Sequence, residues 1–231
     1  VIADPRAVAA RWPDERARAL AELAMVVTET PWTLSRARLA SLNDDDVVHA
    51  VALASYFGHL NRIADAVAVP LDYNVHLVPP HAEPATPPYL PAPRPLLGKP
   101  VLQLAQRPAT ATAIAAWREY MATPRGRIGR RERAMIARRV GLLVGAVSEP
   151  VVDGPASRHP AAGSLSGIGV DHAILALADV VTLAPWQLGD TSFAALRAGG
   201  FDDAAIFDVC AVASSAGVFA RIDVALTALA H

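Results

Sequence analysis

Apolar residues recur at three- and four-residue spacing through most of this chain, and no segment shows sustained period-two alternation, so the pattern predicts helices and no sheet. From Pro13 to Val27 the residues Ala17, Leu20, Leu23, Ala24 and Val27 mark one buried helical face. That helix should stop near Thr30, because a residue preceding proline is pushed out of the helical region. Thr33 is then placed to cap a short helix carrying Leu34, Ala37 and Leu42. Next, Asn43-Asp44-Asp45-Asp46 opens a long helix, where acidic side chains complement the free N–H groups of a helix start. In it Val47, Ala50, Ala54, Phe57, Leu60, Ala64 and Val67 form an apolar stripe at heptad-like steps, while Ser55, His59 and Arg62 line another face. Thr110 to Met121 and Arg130 to Val144 read as two further helices.

The pattern also repeats itself. Ala24-Met25-Val26-Val27-Thr28-Glu29-Thr30-Pro31-Trp32-Thr33-Leu34 returns as Ala178-Asp179-Val180-Val181-Thr182-Leu183-Ala184-Pro185-Trp186-Gln187-Leu188. Each copy leads into an acidic helix start and a long alanine-rich helix, and in the second Ile206, Val209, Ala213, Ala216 and Phe219 trace the matching stripe. Aligning the Pro-Trp pairs gives one offset and aligning Arg62-Ile63 with Arg221-Ile222 another, so the second copy gains Arg197-Ala198-Gly199-Gly200-Phe201, expected to be a loop. A repeat of this kind implies that one packing solution is used twice and that the copies pack on each other. The expected architecture is all-α: a partial first helical repeat over 1–72, a proline-rich connector over 73–108 and a second repeat over 109–231. The stretch from Val69 to Pro100 holds more than half of the prolines without helical or strand periodicity, which predicts an extended connector. Pro150 to Gly169 reads as an irregular loop.

Composition narrows the function classes. With 231 residues, 53% hydrophobic, 19% charged and a net charge of −1, the chain can bury a large core without staples. No apolar run approaches the ~18 residues of a membrane span, so no membrane partner is expected. The positive mean hydropathy reflects either a large core or apolar surface used at a subunit interface, the alanine content pointing to close helix packing, and a homo-oligomer is the expected partner. Cys210 is the sole cysteine, which rules out an intrachain disulfide, a Cys-x-x-Cys pair and a cysteine zinc site. With no secretory pattern at the N-terminus, a cytoplasmic location is expected.

The strings Leu42-Asn43-Asp44-Asp45-Asp46-Val47-Val48 and Tyr56-Phe57-Gly58-His59-Leu60-Asn61-Arg62-Ile63-Ala64-Asp65-Ala66, followed by Val69-Pro70-Leu71-Asp72, resemble the alkylhydroperoxidase-D-like family. This is the carboxymuconolactone decarboxylase superfamily, and the resemblance is to its peroxidase-related branch. It covers roughly Asp4 to Asp72 and Arg127 to Leu229. It implies an all-helical fold, symmetric oligomers and, in active members, reduction of hydroperoxides by a Cys-x-x-Cys pair assisted by Glu and His. One thiolate attacks the peroxide and the other resolves the sulfenic acid. Laid on this chain, that pattern puts Ala134 at the glutamate, Ala146 and Glu149 at the cysteines and Asp153 at the histidine. A shift of two residues brings in Glu132 but still no cysteine. In the first copy the equivalent segment would precede Val1, so a longer natural protein would be needed to supply a dithiol there.

Other residues carry candidate chemistry. Cys210 aligns with Val51 one turn from Ile206 and Ala213, which predicts a core position rather than an activated thiol. Ser55, His59 and Arg62, at i, i+4 and i+7 with Asp65 beyond, share a helical surface. Two readings stay open: an internal polar network, or a pocket for a small anionic or oxygenated ligand walled by Trp32 or Tyr56. Seven arginines between Arg125 and Arg139 are a charge cluster, but the near-zero net charge and the lack of a reading-head motif argue against nucleic-acid binding. His49, His76, His81, His159 and His172 show no metal-ligand spacing, so neither a metal nor another cofactor is expected. The function expected first is a dithiol-less, non-catalytic or divergent binding or scaffold protein of alkylhydroperoxidase type. The alternative is an antioxidant enzyme that uses an N-terminal segment not in this chain, or Cys210 with an external thiol.

Overall fold

The computed structural model describes residues 5–69, 108–146 and 169–230. Among these the chain is helical, with one isolated bridge between Arg125 and Ile128 and no strand. The helices, numbered along the described residues, are α1 (Pro5–Ala9), α2 (Glu15–Glu29), α3 (Asp44–Ala66), α4 (Pro108–Ala122), α5 (Arg130–Leu143), α6 (Val170–Leu183), α7 (Asp190–Ala198) and α8 (Asp203–Ala230). The proline-rich connector over 73–108 lies outside the described residues apart from Pro108, which begins α4, and the 150–169 loop does so apart from Gly169, which caps α6.

Local chemistry sets the helix ends. Thr30 leaves the helical region before Pro31, and Asn43 caps α3 by accepting the Asp46 N–H at 2.8 Å. The short helix expected after Thr33 is instead two 3-10 turns, Pro31–Thr33 and Arg36–Leu39, because Leu34 takes an extended conformation (φ −63°, ψ 141°) that separates them. Leu34, Leu39 and Leu42 are nonetheless buried, so the apolar spacing serves the core without a continuous helix. In the second copy the gained stretch is only partly loop: Arg197 and Ala198 finish α7, and the turn follows at Gly199 and Gly200, where Gly200 has φ +79°. The two Pro-Trp turns have nearly the same backbone, with Thr30 at φ −139°, ψ 55° and Ala184 at φ −144°, ψ 56°.

α8 joins two cores. Its first half, with Ile206, Val209 and Ala213, packs with Ile136 and Val140 of α5 and Ile174 and Val181 of α6. Its second half, with Val218, Ile222 and Leu226, packs with Leu23 and Val27 of α2 and Val47 and Val51 of α3. A helix enclosed on several sides needs apolar residues all round. This corrects the expectation that no stretch reaches the length and apolarity of a membrane span: Asp203–Thr227 does, and its most apolar window is 83% buried inside the protein. α5 and α6 lie parallel, since Arg131 pairs with Asp171 and Arg139 with Asp179, one register held over two helical turns. Arg139 meets Asp179 through two bonds, of 2.7 and 2.6 Å.

The apolar stripe expected along α3 holds only in its first half. Val47 is buried and Ala50 and Ala54 are half-buried, but Phe57, Leu60 and Val67 are exposed, and the inward positions of the second half are Ser55 and Arg62. The polar face of this helix is therefore the one that meets α8.

Candidate functional site

Two arginines lie where α3 and α8 meet. Arg62 is 8% exposed and Arg221 is 4% exposed. Each folds back along its own helix: Arg62 Nη1 donates to the Gly58 carbonyl at 2.7 Å and Arg221 Nη1 to the Gly217 carbonyl at 3.2 Å. Each also reaches a helix end on the far side. Arg62 Nη2 donates to the Thr182 carbonyl in the last turn of α6 at 3.4 Å, and Arg221 Nε and Nη2 donate to the Thr28 carbonyl in the last turn of α2 at 3.3 and 3.2 Å. Thr28 and Thr182 hold matching places before the two Pro-Trp turns. Each arginine thus satisfies a carbonyl that its helix leaves unpaired. Glycine four residues earlier makes the fold-back possible, since a Cβ would meet the guanidinium at 2.7 Å at Gly58 and 2.9 Å at Gly217.

The charge balance is incomplete. A helix C-terminus stabilises a nearby cation by ~0.3–2 kcal/mol, whereas burying an ion costs several kcal/mol after relaxation. Burial dominates: it pulls the Arg62 pKa down to about 10, Asp65 opposing it only in part, and lowers that of Arg221 well below its ordinary value, with Arg62 adding repulsion. Arg62 Nε and Ser55 Oγ are buried with no hydrogen-bond partner.

His59 lies at the same crossing. Its Nδ1 is 2.8 Å from Ser214 Oγ, which is also 3.3 Å from the His59 carbonyl. With the hydroxyl donating to that carbonyl, the ring N–H donates to the hydroxyl, and both contacts are used. Burial, and secondarily Arg62, push the His59 pKa down, favouring the neutral ring. Trp117 of α4 packs edge-on against His59 (5.0 Å), Phe219 (5.1 Å) and Tyr56 (6.4 Å).

Of the sequence candidates, Ser55 and Arg62 are buried on α3, His59 meets Ser214 of α8, and Tyr56 stands at the rim, 47% exposed. Trp32 lies elsewhere: its turn packs on α8 and its Cβ lies 2.5 Å from where a Cβ on Gly145 would stand. The aromatic wall beside His59 is Trp117, which the sequence reading did not single out. It also passed over Ser214, Gly58 and Gly217, although Ser-x-x-Gly-x-x-x-Arg-Ile stands at Ser55 to Ile63 and again at Ser214 to Ile222.

Cys210 is 1% exposed in the core shared by α5, α6 and α8, and burial pushes its thiol up to about 12. A thiol so held is almost wholly protonated near neutral pH and is a poor nucleophile. At the positions laid on the family's site, Ala134 is exposed and Ala146 buried, while 149 and 153 lie outside the described residues. Much of the arginine cluster is spent internally. Arg133 pairs with Asp208, Arg127 bonds to the carbonyls of Gly199 and Gly200, and Arg125 stacks on Tyr120 at 3.4 Å. No group of three potential metal ligands occurs among the described residues. No family model matches the chain, and no curated protein or solved structure was found similar to it.

Proposed function

We propose that this chain is an internally duplicated helical protein of the alkylhydroperoxidase-like type that lacks the redox dithiol and works as a non-catalytic binding or scaffold protein. The observation that carries the reading is a contrast within one molecule: the sole cysteine is sealed in the core, while spare hydrogen-bond donors gather at Ser55 and Arg62. The reciprocal bonds of Arg62 to Thr182 and Arg221 to Thr28 support the duplication, since matching residues make matching contacts across the α3–α8 crossing. The ligand face is Ser55, His59 and Arg62, with Trp117 and Tyr56 as its aromatic side. The exposed Leu53, Phe57 and Leu60 of α3, with Val67 just past its end, support self-association.

Thiol labelling tests the reading. Cys210 in the native protein should react slowly with a maleimide or disulfide reagent and rapidly after denaturation. Fast native labelling would restore the thiol enzyme as the better reading.

A further inference from the structure

Ser55 and Ser214 hold matching positions on α3 and α8, yet their environments differ. Ser214 has His59 as its partner. The residue matching His59 in the second copy is Val218, which offers Ser55 no polar atom, and Ser55 Oγ is buried and unpartnered. Arg62 Nε is in the same state. These two donors share one face of α3, because seven residues make two helical turns. Since Arg62 folds back to the Gly58 carbonyl, its guanidinium lies within about one turn, ~5 Å along the axis, of Ser55.

Ser55 Oγ accepts as well as donates, but Arg62 Nε only donates, and around them stand two buried guanidiniums that no described carboxylate hydrogen-bonds, Asp65 being one negative charge near Arg62 against the two positive ones. A set of donors under excess positive charge, shielded from water, selects an acceptor that is negative and small. Ser215 is also buried and unpartnered, but it matches Tyr56, about a quarter-turn round α8 from Ser214, and belongs to another face.

We propose that the α3–α8 crossing holds one small monovalent anion of halide size between Ser55 Oγ and Arg62 Nε, with the Arg221 guanidinium as a second positive charge. The proposal rests on reading this face as a ligand site and is independent of whether the chain turns over peroxide. The anion offsets a charge that helix ends leave under-compensated, so its occupancy ties the two long helices together.

The test is a thermal melt of the full chain in chloride-free buffer, titrated with sodium chloride and, in parallel, with sodium gluconate at equal ionic strength. For the wild type, the difference between the two salts should rise hyperbolically and saturate, as site binding requires. In Ser55→Ala the saturating part should disappear or need at least a tenfold higher chloride concentration. A difference that grows linearly without saturation, or that is the same in both proteins, would overturn the proposal. Should Ser55→Ala fold poorly, wild-type crystals grown in sodium bromide decide: an anomalous bromide peak in hydrogen-bond reach of Arg62 Nε is expected. Water alone at that place would sink the anion while leaving the labelling result untouched.

Discussion

Arg221 and Arg62 occupy matching positions, but all three side-chain nitrogens of Arg221 bond to carbonyls, whereas Arg62 leaves Nε unspent. The surroundings differ in the same sense. Arg221 lies on the helix that also seals Cys210, and its neighbour Ser214 is satisfied by His59. Arg62 lies on a helix whose outer side is half-exposed and aromatic, beside Ser55 with no partner. Of two residues at matching sequence positions, one is wholly spent on structure and the other keeps a free donor. A single exchange, His59 against Val218, accounts for much of that inequality.

Substitutions can break or sharpen this contrast. Arg221→Met should cost the most, about 2 kcal/mol, because it strands the Thr28 carbonyl, which takes two of its bonds, while the Gly217 carbonyl keeps its helical N–H. Arg62→Met should cost about 1 kcal/mol or less, because the Thr182 carbonyl loses a single long bond of 3.4 Å. Urea unfolding of both variants measures the gap, and equal losses would erase the distinction. Gly58→Ala and Gly217→Ala should each cost up to about 1 kcal/mol, since a Cβ would stand 2.7 and 2.9 Å from the folded-back guanidinium and alanine's better helix propensity offsets only part of its displacement. Ser214→Ala should lose about 1 kcal/mol, and Ser55→Ala in halide-free buffer should lose nothing, because an unsatisfied buried hydroxyl is removed.

The smallest effect expected is on pH dependence. The folded-state pKa of His59 is lowered from its ordinary 6.5, so its contribution is fully present above that value. As the pH falls from 6.5 towards the lower folded-state pKa, the unfolded chain takes up a proton that the folded one resists, and stability drops. Thermal midpoints between pH 7.5 and pH 5 should therefore fall less steeply in His59→Gln than in the wild type; parallel curves would show that His59 is not held neutral.

Helix ends were legible from local chemistry: Thr30 before Pro31 and the cap at Asn43 depend on neighbours in sequence. So was the self-similarity, and with it the matching of Arg62 to Arg221. The inward face of α3 was not legible, because Phe57, Leu60 and Val67 outweigh Ser55 and Arg62 in any hydrophobic pattern, yet the polar set faces α8. What turns it inward is supplied from far along the chain, by the Thr182 carbonyl and by Ser214. Trp117 was hidden for the same reason, as α4 reaches His59 only through tertiary packing. Burial of Cys210 was readable from its spacing to Ile206 and Ala213, which are buried with it.

If the chemistry of this chain resides in the donors around Arg62 and not in its sulfur, peroxide consumption is the most direct measurement. The purified 231-residue protein, supplied with an organic hydroperoxide and dithiothreitol, should show no turnover above the reductant alone, and Cys210→Ser should behave identically. Catalytic consumption by the wild type that is lost in Cys210→Ser would contradict this directly.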